Sequence, residues 1–92
     1  MIKSWLHKGL KQFFKTGRTA GINSAHANRL ARQLRHLDDA TTPYDMNIPG
    51  WELHPLRGDM TGMWAVKVSA NWRLIFSFEG KHAGRVDYVD YH

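Results

Sequence analysis

Three consecutive residues at the carboxyl end of the 92-residue chain, Asp90, Tyr91 and His92, carry side chains that can exchange protons. Imidazole titrates near neutral pH, and a neighbouring carboxylate can orient it or accept a proton itself. Upstream, the basic and apolar segment 71–76 contains Arg73. Arginine stays charged and binds phosphate oxygens in a forked arrangement. Together these residue types predict proton transfer on a phosphate-bearing substrate.

Metal-free cleavage of RNA needs few groups: a base for the 2′-hydroxyl, cations for the phosphorane and an acid for the departing 5′-oxygen. His54 and Arg57 lie in an earlier segment that could reach the same sheet edge as Arg73. The predicted site consists of His54, Arg57, Arg73, Asp90, Tyr91 and His92. The assignment of base and acid among the imidazoles and the carboxylate stays open. Two His and one Asp without HxxxH spacing are a weak zinc signal, so no metal is predicted.

Several of these residues also have plausible structural roles. Arg73 could pair with Asp90 across a hairpin, Tyr91 could simply pack, and His54 could cap a strand end beside a proline. The tryptophans are expected in the core rather than as base-stacking platforms.

Positive charge is concentrated in the first part of the chain. Residues 1–37 contain eight Lys or Arg and no acid, whereas residues 47–92 contain five basic and five acidic residues. Such a one-signed half is typical of proteins that bind a polyanion, and nucleic acid is the expected partner. A solvated basic face, or one that meets an acidic protein, is the alternative. The candidate phosphate-binding residues are Lys8, Lys11, Lys15, Arg29, Arg32 and Arg35.

The elements that must position these groups are predicted to be helices in the first half of the chain and strands in the second half. Ser4 can cap a helix over about residues 5–16, and Ser24 can cap a second helix that ends at about Leu37. Apolar residues recur at helical spacing in both segments. A short first strand at residues 1–4 is an alternative for the start of the chain.

The second half predicts strands. After an irregular connection with one short helical turn, alternation predicts strands over residues 51–54, 63–68, 72–78 and 86–89. Two helices followed by an antiparallel meander predict one α+β domain, with the helices on one face of the sheet and the other face open. If the last hairpin turns near Lys81 or His82, Arg73 lies opposite Asp90 or Tyr91, within a residue or two.

Composition excludes several classes of protein. A hydrophobic content of 42% is sufficient for a small packed core, and 92 residues are enough for one domain. The absence of Cys excludes disulfides and Cys-based zinc sites and favours a reducing cytoplasm. The amino-terminal segment has no long apolar run, so neither a signal peptide nor a membrane span is expected.

Four motifs together resemble HigB-type toxins of bacterial type II toxin–antitoxin systems, a branch of the RelE/ParE toxin superfamily. The motifs are residues 1–4 (MIKS), 53–59 (LHPLRGD), 71–74 (NWRL) and 90–92 (DYH), in order over nearly the whole chain. The resemblance implies a compact RelE-like fold. It also implies a ribosome-dependent endoribonuclease that cuts mRNA in the ribosomal A site without a metal or other cofactor.

The resemblance also implies roles for individual residues. His54, Asp90, Tyr91 and His92 match the family's functional positions, with Arg73 as a phosphate or transition-state cation. Arg57 stands where a basic residue, often lysine, is found. Ser69 departs from the pattern, because some relatives carry arginine there, and one contact to phosphate or ribosomal RNA is expected to be missing.

The implied partners are the 70S ribosome with mRNA and a HigA-type antitoxin with a helix-turn-helix fold. Operator DNA is expected to be contacted only through the antitoxin, and no membrane is involved. The main alternative is a ParE-like, non-catalytic inhibitor of DNA gyrase on the same fold, followed by a small nucleic-acid-binding module. The DYH tail argues against the gyrase inhibitor, since a blocker without catalysis has no need for these three groups together.

Overall fold

A computed structural model describes residues 1–91 of the chain. Two helices precede a four-stranded antiparallel sheet in which the strands neighbour one another in chain order. The elements are α1 (Lys8–Thr16), α2 (Ala27–Asp39), β1 (His54–Pro55), β2 (Trp64–Ser69), β3 (Trp72–Glu79) and β4 (His82–Asp90). Short 3₁₀ turns cover Ser24–His26, Pro43–Met46 and Gly58–Met60. The predicted α+β class is confirmed.

The prediction that the first helix starts at about residue 5 was wrong. Helix α1 begins at Lys8, where the Nδ1 atom of His7 accepts a hydrogen bond from the N–H of Leu10 at 3.0 Å. Ile2 and Trp5 instead form parallel bridges to β4 and pack against the core. The first residues therefore extend the sheet beyond β4, close to the alternative of a short first strand.

The second helix differs from its prediction only at its ends. The side chain of Asn23, rather than Ser24, accepts a hydrogen bond from the N–H of Ala25 at the start of the 3₁₀ turn. Helix α2 then runs to Asp39, slightly beyond the predicted end.

Along residues 1–91, neither helix has the length and hydropathy needed to cross a bilayer.

Strand alternation separates two apolar clusters on the two faces of the sheet. The larger cluster lies between the sheet and both helices, and its fully buried members include Leu10, Leu30, Leu34, Leu37, Val66, Leu74, Phe76 and Val86. The smaller cluster lies on the opposite face and contains Met63, Ala65 and Ile75, with Leu56 and Val89 packed against it. We call this opposite side the open face. Its floor is apolar, and polar side chains surround that floor.

The first strand is shorter than predicted because the chain turns sharply before it. Trp51 is buried in the main core, and its carbonyl accepts a hydrogen bond from the N–H of Lys67 at 2.7 Å. Glu52 then has φ +52°, which is incompatible with an extended strand. Only His54 and Pro55 pair with β2.

The last hairpin is tighter than predicted. Its turn consists of residues 80 and 81, so β4 starts at His82 and not near residue 86. Arg73 pairs with Val89 and Trp72 pairs with Asp90, one residue from the predicted register. The pairing shifts by one residue farther along β3, where Arg85 of β4 has φ +48°. Such a bulge bends the strand and re-aims its side chains.

Candidate active site

His54 lies on the open face at the edge strand β1. It pairs with Ala65, whose side chain belongs to the cluster on that face. The Nδ1 atom of His54 donates to the carbonyl of Glu52 at 3.0 Å. Because a carbonyl oxygen can only accept, Nδ1 carries the proton and Nε2 of the neutral ring keeps its lone pair. In the neutral ring of this half-buried imidazole, Nε2 is therefore the nitrogen that could act as a general base.

Arg73 lies on the same face, on β3. Its Nη1 atom donates to the carbonyls of Ala70 at 2.7 Å and of Trp72 at 3.0 Å. These bonds hold one edge of the guanidinium at the β2–β3 turn, and the group has further N–H donors for a ligand. Its Cζ atom is 5.6 Å from the ring centroid of Tyr91, within the range of a cation–π contact.

Lys67 is a candidate site residue that the sequence analysis did not single out. It pairs with Arg73 across β2 and β3, so both side chains leave the sheet on the open face. Its Nζ atom lies 3.5 Å from a carboxylate oxygen of Glu52, the residue whose carbonyl holds His54. The alternation of β2 was the signal that placed Lys67 here, opposite the buried Val66 and Val68.

The strand register fixes how far apart these groups lie. His54 is opposite Ala65, and Lys67, two residues farther along β2, is opposite Arg73. With strands about 4.8 Å apart and a rise of about 3.3 Å per residue, the Cα atoms of His54 and Arg73 are separated by about 12 Å. An extended phosphodiester between them is within reach of both side chains, with the Lys67 ammonium between the two.

The carboxyl-terminal residues divide between the two faces. The N–H of Tyr91 donates to the carbonyl of Asn71 at 2.8 Å, and its ring lies beside Arg73 on the open face. Asp90 pairs with Trp72, so alternation directs it to the helix side. Burial raises the pKa of Tyr88, and the negative charge of Asp90 adds to that rise. The predicted His92 lies outside the described residues.

The basic residues predicted to bind phosphate lie in three different places. Lys8, Lys11 and Lys15 are exposed and border one shallow depression on α1, whereas Arg32 and Arg35 are exposed on α2. All five stand on the helix side of the molecule, away from the open face. Arg57 is exposed in the loop after β1, just before the 3₁₀ turn.

Arg29 differs from the other cations of the helices. Its Nη2 atom donates to the carbonyls of Gly50 at 2.9 Å and of Lys67 at 3.2 Å. The amide of Gln33 donates to the same Lys67 carbonyl at 2.8 Å, and Gln33 is fully buried. Arg29 therefore links α2 to β2 and to the loop before β1. Because its guanidinium makes these structural hydrogen bonds, we do not assign Arg29 to phosphate binding.

Ser69 is exposed at the end of β2, next to the Ala70–Asn71 turn. It pairs with Trp72, one residue from Arg73. An arginine at this position would stand at the same end of the sheet as the guanidinium of Arg73. Among residues 1–91, no three His, Asp or Glu side chains converge as metal ligands would.

Comparison with known proteins places this chain among toxins. Residues 3–92 match the family of HigB-like toxins, described as a RelE-like toxin of the type II toxin–antitoxin system HigB. The chain is 42% identical to Endoribonuclease HigB of Proteus vulgaris over 92 residues, covering 100% of both chains. It is 34% identical to Toxin HigB-1 of Vibrio cholerae serotype O1 over 80 residues, covering 85% of this chain and 84% of that protein.

A solved structure shares the fold at low sequence identity. The YoeB–YefM complex from Staphylococcus aureus contains a chain that superposes with a TM-score of 0.64 at 15% identity, covering 100% of this chain and 95% of that one. The sequence-based predictions of a HigB-type toxin and of a RelE-like fold are confirmed by these matches.

Proposed function

Since this chain belongs to the HigB-like family of RelE-like toxins in type II toxin–antitoxin systems, we propose that it cuts mRNA in the ribosomal A site and so stops translation. Its full-length relative at 42% identity is named an endoribonuclease. The observation that carries the proposal is the shared open face, where a tautomer-fixed His54 stands with Lys67 and Arg73. The proposed place of action is the cytoplasm.

The proposed reaction is attack of a ribose 2′-oxygen on its own 3′-phosphate. The Nε2 atom of His54 takes the 2′-hydroxyl proton while the oxygen–phosphorus bond forms. Arg73 and Lys67 neutralise the additional negative charge on the phosphorane oxygens. The bond from phosphorus to the 5′-oxygen then breaks and leaves a 2′,3′-cyclic phosphate. No step requires a metal ion.

Protonation of the departing 5′-oxygen is assigned to the carboxyl-terminal tail. Tyr91 already stands beside the Arg73 guanidinium, where the phosphate would lie. The next residue, His92, supplies an imidazole that can donate a proton near neutral pH. Asp90 on the helix side is better placed to orient the tail than to contact RNA.

The ribosome is proposed as the platform that presents the message. The open face is a shallow sheet surface, so an isolated RNA strand gains little enclosure there. The exposed lysines of α1 are positioned on the opposite side, where they can bind ribosomal RNA while the open face meets the message. A HigA-type antitoxin with a helix-turn-helix fold is the proposed neutralising partner, and operator DNA is contacted through it.

The test is translation in a purified 70S system with mapping of mRNA 5′ ends. We expect wild-type protein to cut within codons in the A site and free mRNA to remain intact. His54→Ala should slow single-turnover cleavage by about 10²–10⁴-fold, because a proton acceptor is lost. Ribosome binding should persist, since the basic helices are unchanged.

Lys81→Gln is the matched control. It removes a charge at the exposed β3–β4 turn, away from the three site residues, and should cut at the wild-type rate. Wild-type rates in His54→Ala would refute the catalytic assignment. Inhibition of gyrase supercoiling without any cut message would instead establish the ParE-like alternative.

A further inference from the structure

A cleft lies at the end of the open face away from His54 and Arg73, near the β3–β4 turn. It is bordered by Lys3, Ser4, Ser77, Glu79, Gly84 and Arg85. None of these residues belongs to the group around His54 and Arg73. The cleft is formed where the amino-terminal segment meets the bulged start of β4.

Gly84 opens this cleft. It pairs with Ser77 of β3 on one side and lies against Ser4 on the other. A Cβ atom at Gly84 would approach the Oγ of Ser4 to 2.8 Å, closer than real Cβ contacts. The absence of a side chain therefore leaves a depression, with a serine hydroxyl on each side.

The groups around the depression suit an anion. The Oγ of Ser4 accepts the N–H of Arg85 at 2.8 Å, so its own proton is available to a ligand. The Arg85 side chain reaches across the open face, where its Nη2 is 2.7 Å from the Sδ of Met63, a weak acceptor. Lys3 adds a second cation, and Glu79 is the opposing carboxylate of the lining.

The cleft lies in line with the proposed catalytic groups. Ser77 and Arg73 are four residues apart on β3 and project to the same face, which separates them by about 13 Å. Consecutive phosphates of a stacked strand advance by about 3.4 Å along its axis, so this distance is about four nucleotides or fewer. An RNA strand held at Arg73 would pass over Ile75, beside its cross-strand partner Asp87, and bring another phosphate to the cleft.

We propose that this cleft binds a second phosphate of the same single-stranded RNA, within about four nucleotides of the bond that is cut. The inference rests on the proposed function and extends it to a subsite that fixes the direction and register of the message. Lys3, Arg85 and the Ser4 hydroxyl are its donors, and Glu79 weakens the binding. An acidic peptide is the competing occupant. RNA is favoured because the cleft continues into the open face, where the same RNA strand is proposed to bind.

The test uses an eight-nucleotide RNA with 2′-O-methyl groups at every position, which this chemistry cannot cut. Added to ¹⁵N-labelled wild-type protein, it should shift the amide signals of Ser77 and Gly84 as well as that of Arg73. Binding should weaken in Lys3→Gln, and the slope of log affinity against log salt should become shallower by about 0.7, the value for one phosphate on a single strand. Glu79→Gln should bind more tightly than wild type.

Lys81→Gln is the matched control. It also removes an exposed lysine, in the nearby β3–β4 turn, but Lys81 does not border the cleft. It should leave affinity and slope unchanged. Equal losses in Lys3→Gln and Lys81→Gln would mean diffuse attraction and would overturn the proposal, as would unshifted Ser77 and Gly84 signals at saturating RNA. Because the RNA is uncleavable, these results do not depend on whether the protein cuts mRNA on ribosomes.

Discussion

Arg29 and Arg73 show how hydrogen bonds decide what a guanidinium can still do. Both donate to two backbone carbonyls. Arg29 does so between α2 and the sheet edge with its Nε atom buried, whereas Arg73 does so at a hairpin end with its Cζ over Tyr91 on the open face. The same residue type therefore stabilises the fold in one place and remains available for phosphate in the other.

Buried polar side chains beneath the carboxyl-terminal tail also have a structural role that their hydrogen bonds define. The hydroxyl of Tyr88 is 2.5 Å from Nδ1 of His26, which is itself buried, and it accepts the N–H of Asn23 at 3.4 Å. The Trp72 ring stacks on Tyr88 with centroids 4.5 Å apart. This cluster supports β4 directly before Asp90, so it positions the start of the tail to which we assign proton donation.

Tyr88→Phe should therefore lower the free energy of unfolding by about 1–3 kcal/mol, because a buried imidazole loses its partner. Urea unfolding at pH 7 measures the loss. Burial raises the Tyr88 pKa above its ordinary 10.0, so the contribution of the phenol is present below that pH and is lost as the pH rises through the raised pKa. The Phe variant should lack this alkaline loss.

Tyr44→Phe serves as the control, because Tyr44 is 69% exposed. It should unfold at nearly the wild-type urea concentration. If Tyr88→Phe behaved like this control at pH 7, the hydroxyl would not be supporting His26.

At the scale of elements, the hairpin between β2 and β3 carries backbone strain beside the site. Its turn residues are 70 and 71, and Ala70 has φ +49°. The left-handed region costs a residue with a Cβ about 1–2 kcal/mol. The Ala70 carbonyl accepts from Arg73, so the strained turn also holds the guanidinium in place.

Ala70→Gly should raise the free energy of unfolding by about 1 kcal/mol, because glycine adopts positive φ without steric cost. For a domain of this size the melting temperature should rise by about 4–8 °C. Calorimetry measures the change, and cleavage should persist since the carbonyl is retained. A lower melting temperature would mean that the turn does not hold residue 70 in the left-handed region.

Elements with a clear period could be predicted from sequence, and those fixed by distant contacts could not. Strands β2 and β3 followed directly from alternation. The start of α1 did not, because helical capping by Ser4 competed with burial of Ile2 and Trp5 against β4. Local signals could not show which interaction prevails.

The candidate site was predictable to a similar extent. The motif residues His54 and Arg73 lie together on the open face. The register error of one residue, however, means that Asp90, which was predicted opposite Arg73, pairs with Trp72 and lies on the helix side. The hydrogen bond that fixes the His54 tautomer depends on Glu52 at positive φ. No residue pattern predicted that conformation at a glutamate.

At the scale of the whole molecule, we propose that the two faces have separate tasks. The open face carries the proposed reacting groups, and the helix side carries the exposed cations of α1 and α2. The proposed function requires both binding to a ribosome and cleavage of a message, and this separation allows one surface to bind ribosomal RNA while the other stays free for mRNA. Affinity and cleavage should therefore respond to different substitutions.

Lys11→Gln should weaken ribosome binding and make its salt dependence shallower by about 0.7–0.9 in log–log slope, the value for one lost phosphate contact. Cleavage of message by ribosome-bound toxin should keep its rate, because Lys11 lies on the side opposite His54.

Arg29→Gln should instead reduce the free energy of unfolding by about 1–3 kcal/mol, because its hydrogen bonds to two carbonyls are lost, and it should leave the salt slope of ribosome binding unchanged. Filter binding over a salt series and urea unfolding distinguish the two effects. An unchanged slope in Lys11→Gln would mean that Lys11 does not contact ribosomal RNA. A slope change in Arg29→Gln without loss of stability would mean that Arg29 binds phosphate and does not stabilise the fold.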